Sequence, residues 1–94
     1  MEEKFVAAWL QAREKAAALG VRMRPVETAD AMKQARRILD GHRESDGFYQ
    51  LIQLGKGEFT LEALAVKKPF TGLFTDEQAN NALNRLLDAG YRFR

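Results

Sequence analysis

A chain of 94 residues, 46% of them apolar and with a formal net charge of +2, has material for one small core and a mildly basic surface, not for a second core or a polycation. With no cysteine, disulfides, thiolate metal sites and cysteine nucleophiles are excluded together, which fits a reducing, cytoplasmic setting. The longest apolar run, Phe5 to Leu10, is six residues against the roughly 20 that cross a bilayer, and Glu2 and Glu3 stand where a signal peptide would be basic, so no membrane contact is expected.

The spacing predicts a first helix over 1–20, from about Glu2 to Leu19, with Gly20 as its stop. Phe5, Trp9, Ala12, Ala16 and Leu19 recur at heptad-like intervals, and Val6 and Leu10 widen that seam into a second apolar face. Val21 to Val26 alternates apolar and basic residues and is expected to be extended, because the Pro25 ring disfavours a helical Arg24. A second helix, over 28–41, starts near Thr28 or Asp30. Its core face is Met32, Ala35, Ile38 and Leu39, and its outer face is Lys33, Arg36 and Arg37, with Gly41 as its end. Residues 46–55 fit either a short helix carrying Phe48, Leu51 and Ile52 on one side or a strand with Phe48, Gln50, Ile52 and Leu54 in alternation. Ser45 stands where an N-cap belongs. Thr60 can cap a fourth helix from Leu61 to about Val66. Lys67 to Phe74, with Pro69 and Gly72, is expected to be a loop.

The best-defined helix follows, from Thr75 to Gly90. Thr75-Asp76-Glu77-Gln78 is a capping box, and Gly90 is placed to end the helix in a left-handed conformation. One face is Ala79, Ala82, Leu83, Leu86 and Leu87, a core stripe; the other, Gln78, Asn80, Asn81, Asn84 and Arg85, is rich in amides. Tyr91 to Arg94 alternates like a strand. The fold expected is mainly α, a compact single-domain bundle of about five helices across 1–94, with Trp9, Ile38, Phe59, Leu64, Phe74, Leu83, Leu86 and Leu87 largely buried.

Enzymatic chemistry fails on inventory. His42 is the only histidine and Ser45 the only serine, one after a helix end and the other at a capping position. The adjacent carboxylates Glu2/Glu3 and Asp76/Glu77 point about 100° apart on a helix, so neither makes an acid–base pair. Gly55-Lys56-Gly57 lacks the length of a phosphate loop. No metal-ligand spacing occurs, so no enzyme, cofactor or metal site is expected.

Binding is the remaining class. Residues 21–45 carry six bases, Arg22, Arg24, Lys33, Arg36, Arg37 and Arg43, against four acids; the segments on either side are balanced. On the last helix Gln78, Asn81, Asn84 and Arg85 recur on one side, and such side chains can pair with adenine and guanine edges in duplex DNA. Lys67 and Lys68 precede them and could reach phosphates, as could Arg36 and Arg37. Asp76 and Glu77 weigh against insertion of the helix start, since acids there meet phosphate repulsion.

The series Phe59-Thr60-Leu61, Leu64, Lys67, Gly72-Leu73, Glu77, Ala82-Leu83, Leu86, Gly90-Tyr91 and Arg92 resembles the winged helix-turn-helix tail of phage and plasmid primase/helicase-type proteins. The resemblance covers about forty of the 94 residues. It implies a winged-helix-like half over 46–94, a recognition surface at 78–85 on the 76–89 helix, and a minimal two-stranded pairing of Glu58–Thr60 with Tyr91–Phe93. The competing class is a protein-interaction module, an adaptor or inhibitor of the kind phages and mobile elements encode. It would act through an anchor of Phe5, Val6, Trp9 and Leu10 on the first helix, toward a protein partner or a second copy in a homodimer; the same side chains can equally complete the core.

Overall fold

The computed structural model describes residues 1–93. Helix α1 spans Glu2–Ala18; a 3-10 turn at Thr28–Asp30 leads into α2, Ala31–Asp40; α3 is Phe48–Gln53. A second 3-10 turn, Gly57–Phe59, precedes α4, Leu61–Ala65, then α5, Lys68–Thr71, and α6, Asp76–Asp88. The chain is mainly helical, as expected, with six α-helices among the described residues where about five were expected. The extra one is α5, in the stretch expected to be a loop: Pro69 sits in its first turn, where a missing N–H costs nothing. The open reading of 46–55 resolves as helix.

No strand occurs among the described residues, so the pairing of Glu58–Thr60 with Tyr91–Phe93 is absent. Its backbone groups are spent locally. Phe59 N–H donates to the Lys56 carbonyl, Thr60 N–H to Gly57, and Tyr91 N–H to Leu86. The start of the second 3-10 turn instead packs against Tyr91: a Cβ on Gly57 would lie 2.5 Å from the Tyr91 ring. Arg94, the end of the expected strand-like tail, lies outside the described residues.

Two threonine caps work as anticipated. Thr60 accepts the Ala63 N–H at 3.1 Å, and Thr75 and Gln78 exchange both bonds of the capping box, at 3.0 and 3.1 Å. Ser45 does not cap α3: Gly47, at φ +75°, stands there, with Val21 so close that a Cβ would meet it at 2.5 Å. Gly41 ends α2 in extended conformation, φ −74° and ψ −179°.

The core centres on Phe5, which is fully buried and meets Phe70 and Phe74 edge-on at ring distances of 5.3 and 5.1 Å. This main cluster joins α1 to α2, α4 and α6 through Trp9, Met32, Leu39, Leu64 and Ala82; Phe48, Ala63 and Leu86 form a second cluster. Leu83, Ile38 and Phe59 are only half-buried. Leu87, expected inside, is 55% exposed: α6 packs along Gln78, Ala82 and Leu86, and Leu87 lies about 100° round the helix from Leu86. The Cα radius of gyration, 12.0 Å, matches the ~12 Å of a compact chain of this length. No helix among the described residues is long and apolar enough to cross a membrane.

Candidate functional site

Three of the four side chains on α6 expected to read DNA are turned onto the end of α2. Gln78 is buried and donates to Asp40 Oδ1 at 3.1 Å. Asn81 donates to the Leu39 carbonyl at 2.9 Å. Arg85 donates to the carbonyls of Ile38, Leu39 and Gly41 and pairs with Glu62 at 3.2 Å. The last carbonyls of α2, which have no partner within their own helix, are thus capped by α6. The glutamate is fully buried, and it accepts the Ser45 N–H at 2.9 Å and the Ser45 hydroxyl as well. Base reading by Gln78, Asn81 and Arg85 requires these bonds to be released first. Asn84 is exposed, but Asp76, Glu77 and Asp88 are exposed on the same helix.

The anchor expected on α1 divides in the same way. Phe5 and Trp9 are core residues within the single chain, 0% and 3% exposed; Val6 and Leu10 are half-buried. Nor do the basic candidates form one group. Arg36 turns inward, donating to the Leu73 carbonyl and pairing with Glu2 at 3.1 Å. Lys67 and Lys68 are exposed at the start of α5, where Lys67 borders a depression with Tyr91 and Arg92.

Arg37 instead faces a cleft of about 470 Å³. One bank is the segment 21–27, with Met23, Arg24 and Val26; the other is the end of α2 and the loop after it, with Arg37, His42 and Arg43. Trp9, Phe59 and Leu61 supply apolar lining, and Arg13 reaches in from α1. The segment forms no helix or strand, in keeping with Pro25, whose ring disfavours a helical Arg24. It is tied to the opposite bank by Asp46, which accepts the Arg24 N–H at 3.0 Å and pairs with its guanidinium.

Four arginines thus stand around one depression with two carboxylates, Glu44 and Asp46. Asp46 is engaged by Arg24, and Glu44 accepts the Tyr49 hydroxyl at 2.9 Å, which raises the phenol's pKa above its ordinary value. No carboxylate among the described residues lies within ion-pair distance of Arg13, Arg37 or Arg43. Arg13 is held over the Trp9 ring, 5.7 Å from its centroid, and donates to the Arg24 carbonyl. Partial burial lowers its pKa, and Asp46 opposes that shift from a distance. Gln34 also lines the cleft. Its amide oxygen accepts the Glu27 N–H at 3.2 Å, and no described residue accepts a bond from its NH2 group.

The excess of bases in 21–45 was the visible trace of this site. The contribution of Arg13 was not visible, because it comes from a helix of balanced charge and is brought in only by tertiary packing. Comparison with protein-family models, characterised proteins and solved structures finds no match for this chain.

Proposed function

We propose that this chain is a small, non-enzymatic nucleic-acid-binding protein that holds its ligand on the basic face around the cleft, with phosphate neutralisation as the main source of affinity. The observation that carries the reading is the company of Arg13, Arg37 and Arg43: three guanidinium groups around one depression, with no ion-pair partner among the described residues. The arginines that join helices, Arg36 and Arg85, each have a carboxylate. Unpaired cations gathered on one side are the electrostatic footprint of a polyanion partner. Helix α6 offers less, since Gln78, Asn81 and Arg85 are spent on the end of α2 and the exposed Asn80 and Asn84 share the helix with Asp76, Glu77 and Asp88.

A fluorescence anisotropy titration with labelled DNA tests this. Binding should weaken as salt rises, with a log–log slope near −0.9 per phosphate neutralised on a duplex, or about −0.7 on a single strand. Arg37→Ala with Arg43→Ala should lower affinity for all sequences and flatten that slope by about two. Lys67→Ala with Lys68→Ala, or Asn84→Ala, should change little. The reverse ranking would return the interface to α6. No binding of either form of DNA at low salt and tens of micromolar protein would remove the reading, because non-specific binders typically reach about 10⁻⁴–10⁻⁶ M.

A further inference from the structure

The basic face is not a flat patch. Its centre is a concave space lined by apolar side chains such as Trp9, Phe59 and Leu61 beside the charged ones, and that shape says more about the ligand than the charge does. A volume of about 470 Å³ is in the range of pockets that enclose a small organic group, roughly 300–1,000 Å³. Phosphate neutralisation alone needs no such space, and a duplex has nothing to put in it while its bases stay stacked. Resting on the reading above, we propose that the cleft receives one unpaired nucleotide of a single strand, with its base against the Arg13 wall and its phosphates at Arg37 and Arg43.

Arg13 is prepared for this role. Guanidinium planes serve as stacking platforms for unpaired bases. This one is fixed before any ligand arrives, by the Trp9 ring and the Arg24 carbonyl, so little rotamer freedom is lost on binding. It also carries a partly desolvated charge with no ion-pair partner among the described residues, which an approaching phosphate relieves. The NH2 of Gln34, which no described residue accepts from, supplies one donor at the cleft lining, suited to a carbonyl or ring-nitrogen acceptor on a base edge. Arg37 and Arg43 stand at the cleft on the α2 side, with exposed side chains able to follow a strand's backbone. A duplex could use the cleft only by flipping a base out, which costs a few kcal/mol of unstacking and unpairing. Discrimination between single and double strands therefore follows from the shape of the site.

The test compares a labelled oligothymidylate with a duplex of equal length, in the same salt, with Trp9 emission recorded in parallel. The single strand should bind about tenfold tighter or more, and saturation should quench the emission of Trp9, the only tryptophan. Arg13→Lys keeps the charge and loses the plane; it should weaken the single strand about tenfold while changing the duplex less than about twofold. Gln34→Ala, a substitution away from the Trp9 contact, should weaken the single strand alone and so covers the case in which Arg13→Lys unfolds. Equal affinity for both forms, with neither variant altering it, overturns the inference and leaves the basic-face reading standing; no binding of either removes both. Saturable binding of thymidine monophosphate as tight as the strand assigns the cleft to a free nucleotide and overturns the strand assignment. Binding of a peptide with an aromatic C-terminal carboxylate, without DNA binding, assigns it to protein.

Discussion

Glu62 and Arg85 set the terms for residue-level effects in this molecule. A fully buried carboxylate survives because three donors converge on it: the Ser45 N–H, the Ser45 hydroxyl and the Arg85 guanidinium. Removing one member of a buried pair leaves the other charged and uncompensated, which typically costs about 3–5 kcal/mol. Arg85→Ala is expected to fall in that range by urea unfolding, since it also removes a donor from the carbonyls of Ile38 and Leu39 in α2 and of Gly41 after it. Arg85→Lys should recover only part, because an ammonium cannot span the same carbonyls with a planar fork. A loss below about 1 kcal/mol for Arg85→Ala would contradict the network described, being no more than one ordinary hydrogen bond. Two glycines provide a second contrast. Gly57→Ala drives a methyl to 2.5 Å from the Tyr91 ring and 2.9 Å from Ile52 and should cost about 1–3 kcal/mol by overpacking. Gly72, at φ −67° with open space where its Cβ would go, should accept alanine at no cost or gain about 0.4–1 kcal/mol from a stiffer unfolded chain.

At the scale of elements, α6 is both the most legible helix and the one whose role was hardest to read. Its capping box and its glycine stop are local chemistry, written in consecutive residues, and the helix forms over nearly the anticipated span. What its faces touch is tertiary information. Ala79, Ala82, Leu83, Leu86 and Leu87 cover a wide arc, and periodicity cannot say which part of it meets α2 and α4. The amides looked like a surface chosen for a partner because nothing in the sequence shows that α2 ends, uncapped, directly opposite them. The same blindness applied to Phe5 and Trp9, which served the anchor and core readings equally well until Phe70 and Phe74 were seen to close over Phe5. Leu86 and Leu87 turn this into a measurement. Leu86→Ala should cost about 2–5 kcal/mol, as a fully buried leucine. Leu87→Ala should stay within about 0.5 kcal/mol, as a substitution on an exposed face. Equal losses at the two positions would mean that α6 is rotated from the orientation described.

At the scale of the whole molecule, what the chain keeps for itself bears on how it assembles. A bundle this small can spare few large side chains, and its one tryptophan and its most connected phenylalanine are both enclosed within a single copy. The exposed large apolar side chains among the described residues are spread along the chain: Met1 before α1, Leu19 after it, Tyr49 on α3, Leu54 after it, Leu87 on α6 and Phe93 after that helix. Singly scattered apolar residues are normal on monomers and do not make an interface. With α1's seam already filled by its own chain, the self-association once expected through Phe5, Val6, Trp9 and Leu10 has lost its two largest anchors, and Val6 and Leu10, half-buried, offer little area. Sedimentation equilibrium is therefore expected to report a monomer up to high protein concentration, with Trp9 emission blue-shifted and unchanged on dilution. Trp9→Ala should cost about 3–5 kcal/mol of folding stability while leaving the sedimentation behaviour of the folded fraction unaltered. A dimer that dissociates on dilution together with a red shift of Trp9 would show that the tryptophan is sealed by a second copy, not by the Phe5 cluster of its own chain.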